Sequence, residues 1–452
     1  MFHDQEYFTT LVKIALPIVI QNFISSSLNA VGVLLIGQLG DTSVAAVGLA
    51  NQVFFLFSLM LFGITSGSAI FTAQYWGSGD LHGIRKIVLL CLSLTLPPGI
   101  FFTAIAIGFP QVAMGLYTRD PAVIKLGSDY LQIIGISYLA TAVSFTLASQ
   151  MRSTGSVRPP MLVSVVALGL GTLVNYTLIF GKFGLPVMGV RGAALGTCLA
   201  RLVECAAMLA VTYLGRFPTA ARLADFTGLS RKFFQHYSVI VLPVAANETI
   251  WALGITIYNM IYARIGTEAI AAINITSTID SMAFVVFIGI SNASAIMIGN
   301  RIGAGEEEKA IQYARRALIL GIALALVMGA LVLLFSGTIL AYYKVSETAA
   351  ANARGILTVL ACGLWIRVTN MTIIAGILRS GGDTRFAMFL DICTVWLVGI
   401  PMALLGTFVF HLAVYWVVTM VMADELTKFI GGIYRFRTRK WINNLAHSIQ
   451  MG

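Results

Sequence analysis

The chain has 452 residues, of which 58% are hydrophobic and 11% are charged, and its mean hydropathy is +0.88. Soluble globular proteins are roughly 45–50% apolar and about 25% charged, so this composition excludes a soluble protein and indicates an integral membrane protein. We interpret the net charge of +10 as a feature of membrane topology and predict no nucleic-acid partner.

The apolar segments predict an all-α integral membrane protein. A helix that crosses a bilayer needs about 20 apolar residues, because it must satisfy its backbone polar groups internally. Twelve segments meet this requirement. They are 11–36, 44–73, 84–109, 127–150, 160–181, 190–214, 237–263, 270–299, 311–341, 353–378, 386–410 and 411–434.

The distribution of Lys and Arg predicts the orientation of these spans. If the amino terminus is cytoplasmic and the spans alternate, cytoplasmic segments hold 20 of the 29 basic residues and external segments hold 7. Cytoplasmic segments of membrane proteins carry an excess of Lys and Arg. We therefore expect a multi-pass protein of the plasma or inner membrane, surrounded by lipid, with both termini in the cytoplasm.

The sequence contains an internal repeat. A shift of 226 residues pairs IGQLGDTSVAAVG with YARIGTEAIAAIN and AQYWGSGD with GNRIGAGE, and a shift of 227 pairs MRSTGSVR with LRSGGDTR. Duplicated halves around a central site are typical of secondary transporters. We predict two six-helix bundles related by a pseudo-two-fold axis along the membrane normal. The predicted segments are a first bundle at 1–215, a cytoplasmic linker at 216–236, a second bundle at 237–440 and a tail at 441–452.

These repeated turns, together with LRSGGDT and the basic tail RFRTRKW, resemble the multidrug and toxic compound extrusion (MATE) transporters. The resemblance covers essentially the whole chain. It implies twelve helices in two lobes, a monomer, and export of cationic or amphipathic compounds in exchange for protons or sodium ions. Many members carry an Asp in span 1 where this chain has Gly32, and sodium-coupled members carry an acid in span 10 where it has Val368. The family's acid in span 7 is retained as Glu248.

Charged residues inside predicted spans are the candidate site, because such residues are costly in lipid and usually functional. Glu248 and Arg367 each lie about 16 Å from the cytoplasmic end of their span, at ~1.5 Å per residue, and are therefore expected to be able to meet. Asp391 is expected to lie at a shallower depth and Asp280 nearer the outside. The equivalent first-half positions are Asn22, Ala140, Ser164 and Phe54, which suggests that the charges serve a task of the second bundle.

Helical spacing places other candidates beside these charges. Trp251 and Asn259 are predicted to share a face with Glu248, next to Asn247, and Asn370 is predicted to share a face with Arg367. Glu248 and Arg367 either form a static pair or take part in coupling and substrate binding, with transient Na⁺ at Glu248 as one possibility. Asp391 is either a coupling relay or a helix-end anchor.

Two further local pairings follow from spacing in the sequence. Asp280 is expected to accept a hydrogen bond from Thr276 or Ser277, one turn earlier in the same span. In span 12, Asp424 and Glu425 are expected to pair with Lys428, since residues three and four apart are neighbours on a helix.

The leading functional hypothesis is a secondary antiporter that exports small molecules and uses only H⁺ or Na⁺ as coupling ion, without a cofactor or a structural metal. The alternative is a lipid-linked oligosaccharide flippase of the same superfamily, which would be expected to have a strongly basic cavity and usually fourteen spans. A channel or a membrane enzyme is the third hypothesis. No catalytic constellation is readable in the sequence, so we predict no enzymatic activity.

Overall fold

A computed structural model describes residues 5–226, 230–341 and 346–448, and these ranges form helices joined by short turns. The helices are α1 (Gln5–Gly37), α2 (Asp41–Ser78), α3 (Leu81–Gly108), α4 (Pro110–Gly115), α5 (Pro121–Gly135), α6 (Tyr138–Ser153), α7 (Arg158–Phe180), α8 (Gly189–Leu214), α9 (Arg231–Ala263), α10 (Thr267–Gly303), α11 (Glu307–Ala341), α12 (Glu347–Met371), α13 (Thr384–Thr394), α14 (Ile400–Leu404), α15 (Val414–Arg437) and α16 (Leu445–Ser448). Short 3₁₀ turns lie at Lys182–Gly184 and Leu223–Phe226.

Two of the long helices contain π-helical turns. Helix α12 continues through the π-helical stretch Thr372–Leu378. Helices α13 and α14 are joined by the π-helical turn Val395–Gly399 and followed by another, Leu405–Val409, so Thr384–Val409 is one continuous helix. Most π-helical turns in proteins are short interruptions of α-helices, often near functional sites.

The internal repeat is present in the backbone. Helices α1 and α9 correspond at both ends with the shift of 226 residues. The repeated turns also share backbone conformation, since their glycines adopt positive φ in pairs. The pairs are Gly40 (94°) with Gly266 (148°), Gly79 (77°) with Gly305 (76°), and Gly155 (78°) with Gly382 (81°). Positive φ is readily available to glycine because it lacks a Cβ atom, which explains why the repeat retains glycine at these turns.

The helices agree with the predicted spans, with one difference in shape. In the part of the chain that the structure describes, ten helices are long and apolar enough to cross a membrane, and an eleventh span forms if the bent pair α5 and α6 is counted together. The single predicted span 127–150 is this pair, which bends by 53°. The twelfth predicted span corresponds to α15, a 24-residue helix with Asp424, Glu425 and Lys428 along its length.

Packing divides the chain into two compact units that do not coincide with the two halves of the repeat. One unit comprises Leu16–Val241, and the other comprises Met1–Ala15 together with Leu242–Gly452. The beginning of α9 therefore packs with the amino-terminal helices, where the Tyr237 hydroxyl shares a 2.5 Å hydrogen bond with Ser68. The beginning of α1 packs with the carboxyl-terminal helices, where Tyr7 lies against Tyr313. The predicted division at the linker 216–236 stays a prediction about chain segments.

The amino-terminal unit has a closely packed pair of helices, α7 and α8. A Cβ atom added at Gly192 would lie 2.7 Å from the carbonyl carbon of Leu178, and one added at Gly171 would lie 2.6 Å from the Cβ of Ala200. Small residues let membrane helices approach until their backbones are in contact. Helix α8 carries the charged pair described below, and α7 carries the serine that bonds to it.

Large apolar side chains remain exposed along the helices of the carboxyl-terminal unit. Leu334, Leu397 and Ile430 are each about 70% exposed, at 73%, 71% and 69%. Such exposure is unfavourable in water but costs nothing against lipid tails, which agrees with the membrane environment predicted from composition.

Candidate functional site

A buried lysine connects three carboxylates in the carboxyl-terminal unit. Lys428 Nζ on α15 lies 3.1 Å from Asp391 Oδ1 on the helix beginning at Thr384. It also lies 3.6 Å from Asp424 Oδ2 and 3.7 Å from Glu425 Oε1 on its own helix. The predicted ion pairing within span 12 is confirmed, and Asp391 is joined to it. A single ammonium group therefore faces three carboxylates at once.

Amide and hydroxyl groups extend this network to two further helices. Asn247 Nδ2 on α9 donates to Asp391 Oδ2 at 3.0 Å, and Asn370 Nδ2 on α12 donates to Glu425 Oε2 at 2.7 Å. The Tyr258 hydroxyl donates to Asp424 Oδ2 at 3.3 Å. The carbonyl oxygens Oδ1 of Asn247 and Asn370 are buried without a hydrogen-bond partner. Unpartnered carbonyl oxygens beside carboxylates are the type of ligand that hard cations prefer.

Glu248 is paired with a residue that the sequence reasoning did not select. Its Oε1 atom accepts a hydrogen bond from Arg379 Nη1 at 2.7 Å, and both side chains are largely buried. The expectation that Glu248 and Arg367 meet is wrong. Arg367 lies twelve residues before Arg379, about 18 Å along the helix at ~1.5 Å per residue, and so is not level with Glu248.

Arg367 instead forms a bidentate ion pair with Asp280 of α10. Its two terminal nitrogens lie 2.7 and 2.9 Å from the two carboxylate oxygens, and its guanidinium carbon lies 4.6 Å from the centre of the Phe284 ring. The expected bond from Thr276 or Ser277 to Asp280 is wrong. Both hydroxyls donate to carbonyl oxygens of their own helix, because the Asp280 carboxylate is directed to α12.

Two predicted residues lie outside the network. Trp251 is 40% exposed and Asn259 is exposed, whereas the buried face of α9 carries Asn247, Gly254 and Tyr258. Gly254 is approached closely by Val395, whose Cγ1 would lie 2.6 Å from an added Cβ. Glu248 is largely buried, as expected of a charged residue inside a span. The two residues that helical spacing placed beside it are exposed, because the packed face of α9 passes through Asn247 and not through Glu248.

These ion pairs leave an excess of negative charge. Within the described residues, five carboxylates take part (Glu248, Asp280, Asp391, Asp424 and Glu425). Three basic side chains pair with them, those of Arg367, Arg379 and Lys428, so the formal net charge of the group is 3 − 5 = −2. Because uncompensated buried charge is costly, the arrangement favours uptake of a cation or of protons.

Sequence reasoning missed Arg379, Tyr258 and the central place of Lys428. Arg379 belongs to the LRSGGDT motif, so the sequence marked it as part of a repeated turn. Its position at the end of a span does not show which residue it pairs with. Lys428 was expected only as a local helix pair, since sequence spacing reports neighbours on one helix and not contacts between helices.

The amino-terminal unit also contains a charged pair inside a membrane helix, contrary to the inference that such charges belong to the second bundle. Arg201 Nη1 lies 2.8 Å from Glu204 Oε2, and the Ser164 hydroxyl donates to Glu204 Oε1 at 2.8 Å. With the shift of 227, Ser164 corresponds to Asp391 and Arg201 to Lys428. The two units thus place a basic residue at the same point of the repeat but surround it differently.

Comparison with known proteins identifies the family. The MatE family model matches residues 17–177 and 243–405, which is most of the chain. The chain belongs to the MatE family. As a MatE member it is a multi-pass membrane transporter and not an enzyme. The two matched stretches begin 226 residues apart, at Pro17 and Pro243, in agreement with the repeat found in the sequence.

Relatives of this MatE protein extend over nearly its whole length. A probable multidrug resistance protein NorM of Thermotoga maritima is 24% identical over 95% of this chain and 92% of its own. The uncharacterized transporter YisQ of Bacillus subtilis is 26% identical over 96% and 95%, respectively. A crystal structure of a MATE protein in a bent conformation superposes with a TM-score of 0.86 at 19% identity, covering 96% of each chain. The last similarity shows the two-lobed twelve-helix fold.

Proposed function

We propose that this MatE-family chain is a secondary antiporter that exports cationic or amphipathic compounds in exchange for protons or sodium ions. The observation that carries the proposal is the excess of buried acids in the carboxyl-terminal unit, where Lys428 alone faces three carboxylates while Glu248 and Asp280 are each paired with an arginine. The name of the Thermotoga maritima relative, a multidrug resistance protein, supports export of drug-like compounds. Placement in the plasma or inner membrane and a monomeric state belong to the same proposal.

Coupling follows from the charge balance of the network. When a proton or Na⁺ binds, one unit of excess negative charge is neutralised in a region of low dielectric constant, which stabilises the occupied state. When the cation leaves, the acid-rich cluster favours a conformation that admits water or a cationic substrate. Substrate and ion then compete for the same carboxylates, and mutually exclusive occupancy is sufficient for exchange.

Asp391 is the central carboxylate of this scheme. It receives the Asn247 amide on one oxygen and Lys428 on the other. Neutralising it therefore alters the contacts of α9 and α15 together. Glu248 lies next in sequence to Asn247 and is held by Arg379, so a change at Asp391 is transmitted to the second acid through α9.

The test is transport by the purified full chain in proteoliposomes loaded with ethidium, a cationic fluorescent dye. Proton and sodium gradients are imposed separately. We expect one gradient to drive dye movement, and Asp391→Asn and Glu248→Gln to abolish that response. Exchange of one ion for one monovalent dye moves no net charge, so a tenfold ion gradient, about 1.4 kcal/mol, sustains at most about a tenfold dye gradient, and the variants should lose that factor.

Glu308→Gln is the matched control, because Glu308 is an exposed carboxylate that pairs with Arg439 at 2.6 Å outside the network. Its transport is expected to equal that of the wild type. Wild-type, gradient-driven efflux in both Asp391→Asn and Glu248→Gln would show that the coupling ion binds elsewhere.

A further inference from the structure

The amino-terminal unit contains a cavity of about 400 Å³ that the coupling scheme does not use. Residues of α1, α2, α5, α7 and α8 line it, and all of them belong to the same compact unit. Binding sites for small molecules are typically clefts of roughly 300–1,000 Å³ lined mainly by apolar groups with a few polar ones. The cavity therefore has the size of a site for a small organic molecule.

Gly32 opens this cavity on the side of α1. It lies among the lining residues, and no atom lies within 4 Å of the position that a Cβ atom would occupy. The wall formed by α1 carries no charged residue, and the missing side chain at Gly32 leaves space for a ligand.

The charge that remains in the wall comes from α8. Among the described residues that line the cavity, Arg201 and Glu204 are the charged ones. The Glu204 carboxylate is already engaged by Ser164 and Arg201, one on each oxygen. A guanidinium has five N–H donors, and the hydrogen bond to Glu204 uses one of them. Arg201 is 26% exposed, so its other donors are accessible to a ligand.

A second guanidinium makes the local charge positive. Arg152 of α6 interacts electrostatically with Glu204, so two basic groups accompany one carboxylate and the balance is 2 − 1 = +1. The equivalent region of the carboxyl-terminal unit has the opposite sign, with Lys428 surrounded by three carboxylates. A charged residue in the middle of a membrane helix is costly and so indicates a function.

The other walls suit an aromatic ligand that also forms hydrogen bonds. Phe54 lies beneath the Arg201 guanidinium at 5.8 Å, and Tyr130 adds a second ring to the lining. Asn29 and Asn51 contribute amides, and the Oδ1 atom of Asn175 is a buried acceptor without a partner. Aromatic rings bind flat apolar groups, while the amides of Asn29 and Asn51 can donate to or accept from polar groups of the ligand.

We infer that this cavity binds an amphipathic aromatic ligand through a carboxylate or another compact anionic group, with Arg201 as the anion-binding residue. The ligand's role as cargo rests on the proposed function, whereas its binding does not. Arg forms charge-assisted, often bidentate hydrogen bonds with carboxylates, which are stronger than bonds between neutral groups. Glu204 and Ser164 position the Arg201 side chain.

The experiment compares two fluorescent probes that differ in one charge. Dansylglycine carries an aromatic ring system and a carboxylate, and dansylglycinamide replaces the carboxylate with a neutral amide. Each is titrated into the full chain in lipid nanodiscs, and the signal from empty nanodiscs is subtracted. We expect the carboxylate probe to bind saturably and about 10-fold or more tightly than the amide, the usual scale for a hydrogen-bonded charge.

Two variants test the assignment to Arg201. Arg201→Gln/Glu204→Gln removes both charges while keeping hydrogen-bonding side chains, and is expected to abolish the preference for the carboxylate probe. Gly32→Asp places a carboxylate in the open space of the wall, and is expected to weaken dansylglycine binding more than dansylglycinamide binding. Because its Cβ meets no atom within 4 Å, this variant tests the inference even if the double variant does not fold.

Arg191→Gln is the matched control. Arg191 lies on the same helix and pairs with Asp129 at 3.1 Å, but it is 62% exposed and outside the cavity. It should bind both probes as the wild type does. The inference is overturned if the wild type binds the two probes equally or not at all, if the preference survives in the double variant, or if it is undiminished in Gly32→Asp. Probe binding needs no ion gradient, so a failure of the transport test would not affect the binding result. Equally, a failure of the binding test would not affect the transport result.

Discussion

Lys428 is the residue on which the carboxyl-terminal network depends, because its ammonium group is the common neighbour of Asp391, Asp424 and Glu425. Its side chain is 5% exposed and those of the three acids are 5–20% exposed, so water offers the acids little compensation. Removing one member of a buried ion pair usually costs more than the pair itself contributes, since it leaves a charge without a partner.

We predict that Lys428→Met destabilises the protein by about 3–5 kcal/mol, because three carboxylates then face one another without an ammonium group. The measurement is the thermal unfolding midpoint of the purified chain in detergent. Adding Asp391→Asn to Lys428→Met should restore part of the loss, because it removes one of the repelling charges. Lys309→Met, at a lysine that is 56% exposed, should leave the midpoint nearly unchanged. Equal midpoints for Lys428→Met and the wild type would contradict a stabilising role.

Gly399 makes room for the tyrosine of the network. A Cβ atom added there would overlap the Tyr258 hydroxyl, which donates to Asp424. We predict that Gly399→Ala displaces this ring and destabilises the protein by about 1–3 kcal/mol, the usual cost of overpacking. Thermal unfolding measures the loss, and Gly337→Ala is the control because an added Cβ meets nothing within 4 Å. If Tyr258→Phe/Gly399→Ala were as stable as Tyr258→Phe alone, the hydroxyl would be confirmed as the point of collision. A fully stable Gly399→Ala would refute the prediction.

At the residue scale, the sequence identified members of the site better than their contacts. Asn247, Asn370 and Asp391 were selected because polar groups inside apolar spans need a reason, and all three lie in the Lys428 network. The partners of Glu248 and Arg367 were not predictable in the same way. Depth along one helix was judged from an uncertain span end, and which helices are neighbours is decided by packing across the whole unit.

At the scale of elements, the turn between α10 and α11 carries a small ion network that should respond to pH. Glu306 lies 2.7 Å from Lys309 and 2.6 Å from Arg301. Hydrogen bonds from Lys309 and from Arg301 hold the pKa of Glu306 below its ordinary value of 4.5. A depressed pKa means that the ionised form is stabilised in the folded protein.

The stabilisation from Glu306 is therefore present above the ordinary pKa and is lost as the pH falls through the lowered one. We predict that the wild type has a higher unfolding midpoint than Glu306→Gln at pH 7, and that the difference narrows as the pH falls below 4.5. Thermal unfolding of both proteins across this range is the measurement. A difference that grows on acidification would reverse the sign and refute the assignment.

Helix number and position were largely predictable, because about 20 apolar residues and a basic or glycine-rich turn are strong local signals. The 53° bend between α5 and α6 was not. The span 127–150 contains no proline, and although Gly135 and Ser137 flank the break, glycine is too frequent in membrane helices to mark one. The π-helical turn Thr372–Leu378 likewise depends on packing and not on a local motif.

At the scale of the whole molecule, α1 and α9 each contain a proline beside a border between the compact units. The border in α1 lies between Ala15 and Leu16, next to Pro17, and that in α9 lies between Val241 and Leu242, next to Pro243. Proline removes one backbone hydrogen bond inside a helix and makes bending easier at that point.

We predict that Pro243→Ala slows dye transport in proteoliposomes without weakening dye binding. A restored hydrogen bond of about 1 kcal/mol favours the straight helix, and this changes a conformational equilibrium roughly 5-fold. Pro98→Ala is the control, since Pro98 lies inside α3 and within one unit. Unchanged transport in Pro243→Ala, or an equal decrease in Pro98→Ala, would argue against a special role for the proline of α9.

The first residues of α1 belong to the carboxyl-terminal unit, and those of α9 belong to the amino-terminal unit. Dividing the chain at the linker would therefore remove a packed segment from each unit. A fragment ending in the linker would lack Tyr237, whose ring is fully buried against Phe71, and Val241, whose Cα lies within 2.9 Å of a Cβ built on Gly67. Either fragment synthesised by itself should be degraded or aggregate. Produced together in one cell, the two fragments should recognise each other through these donated ends and reassemble an active transporter. The two halves of the repeat are alike in sequence, but we expect neither to fold without the other.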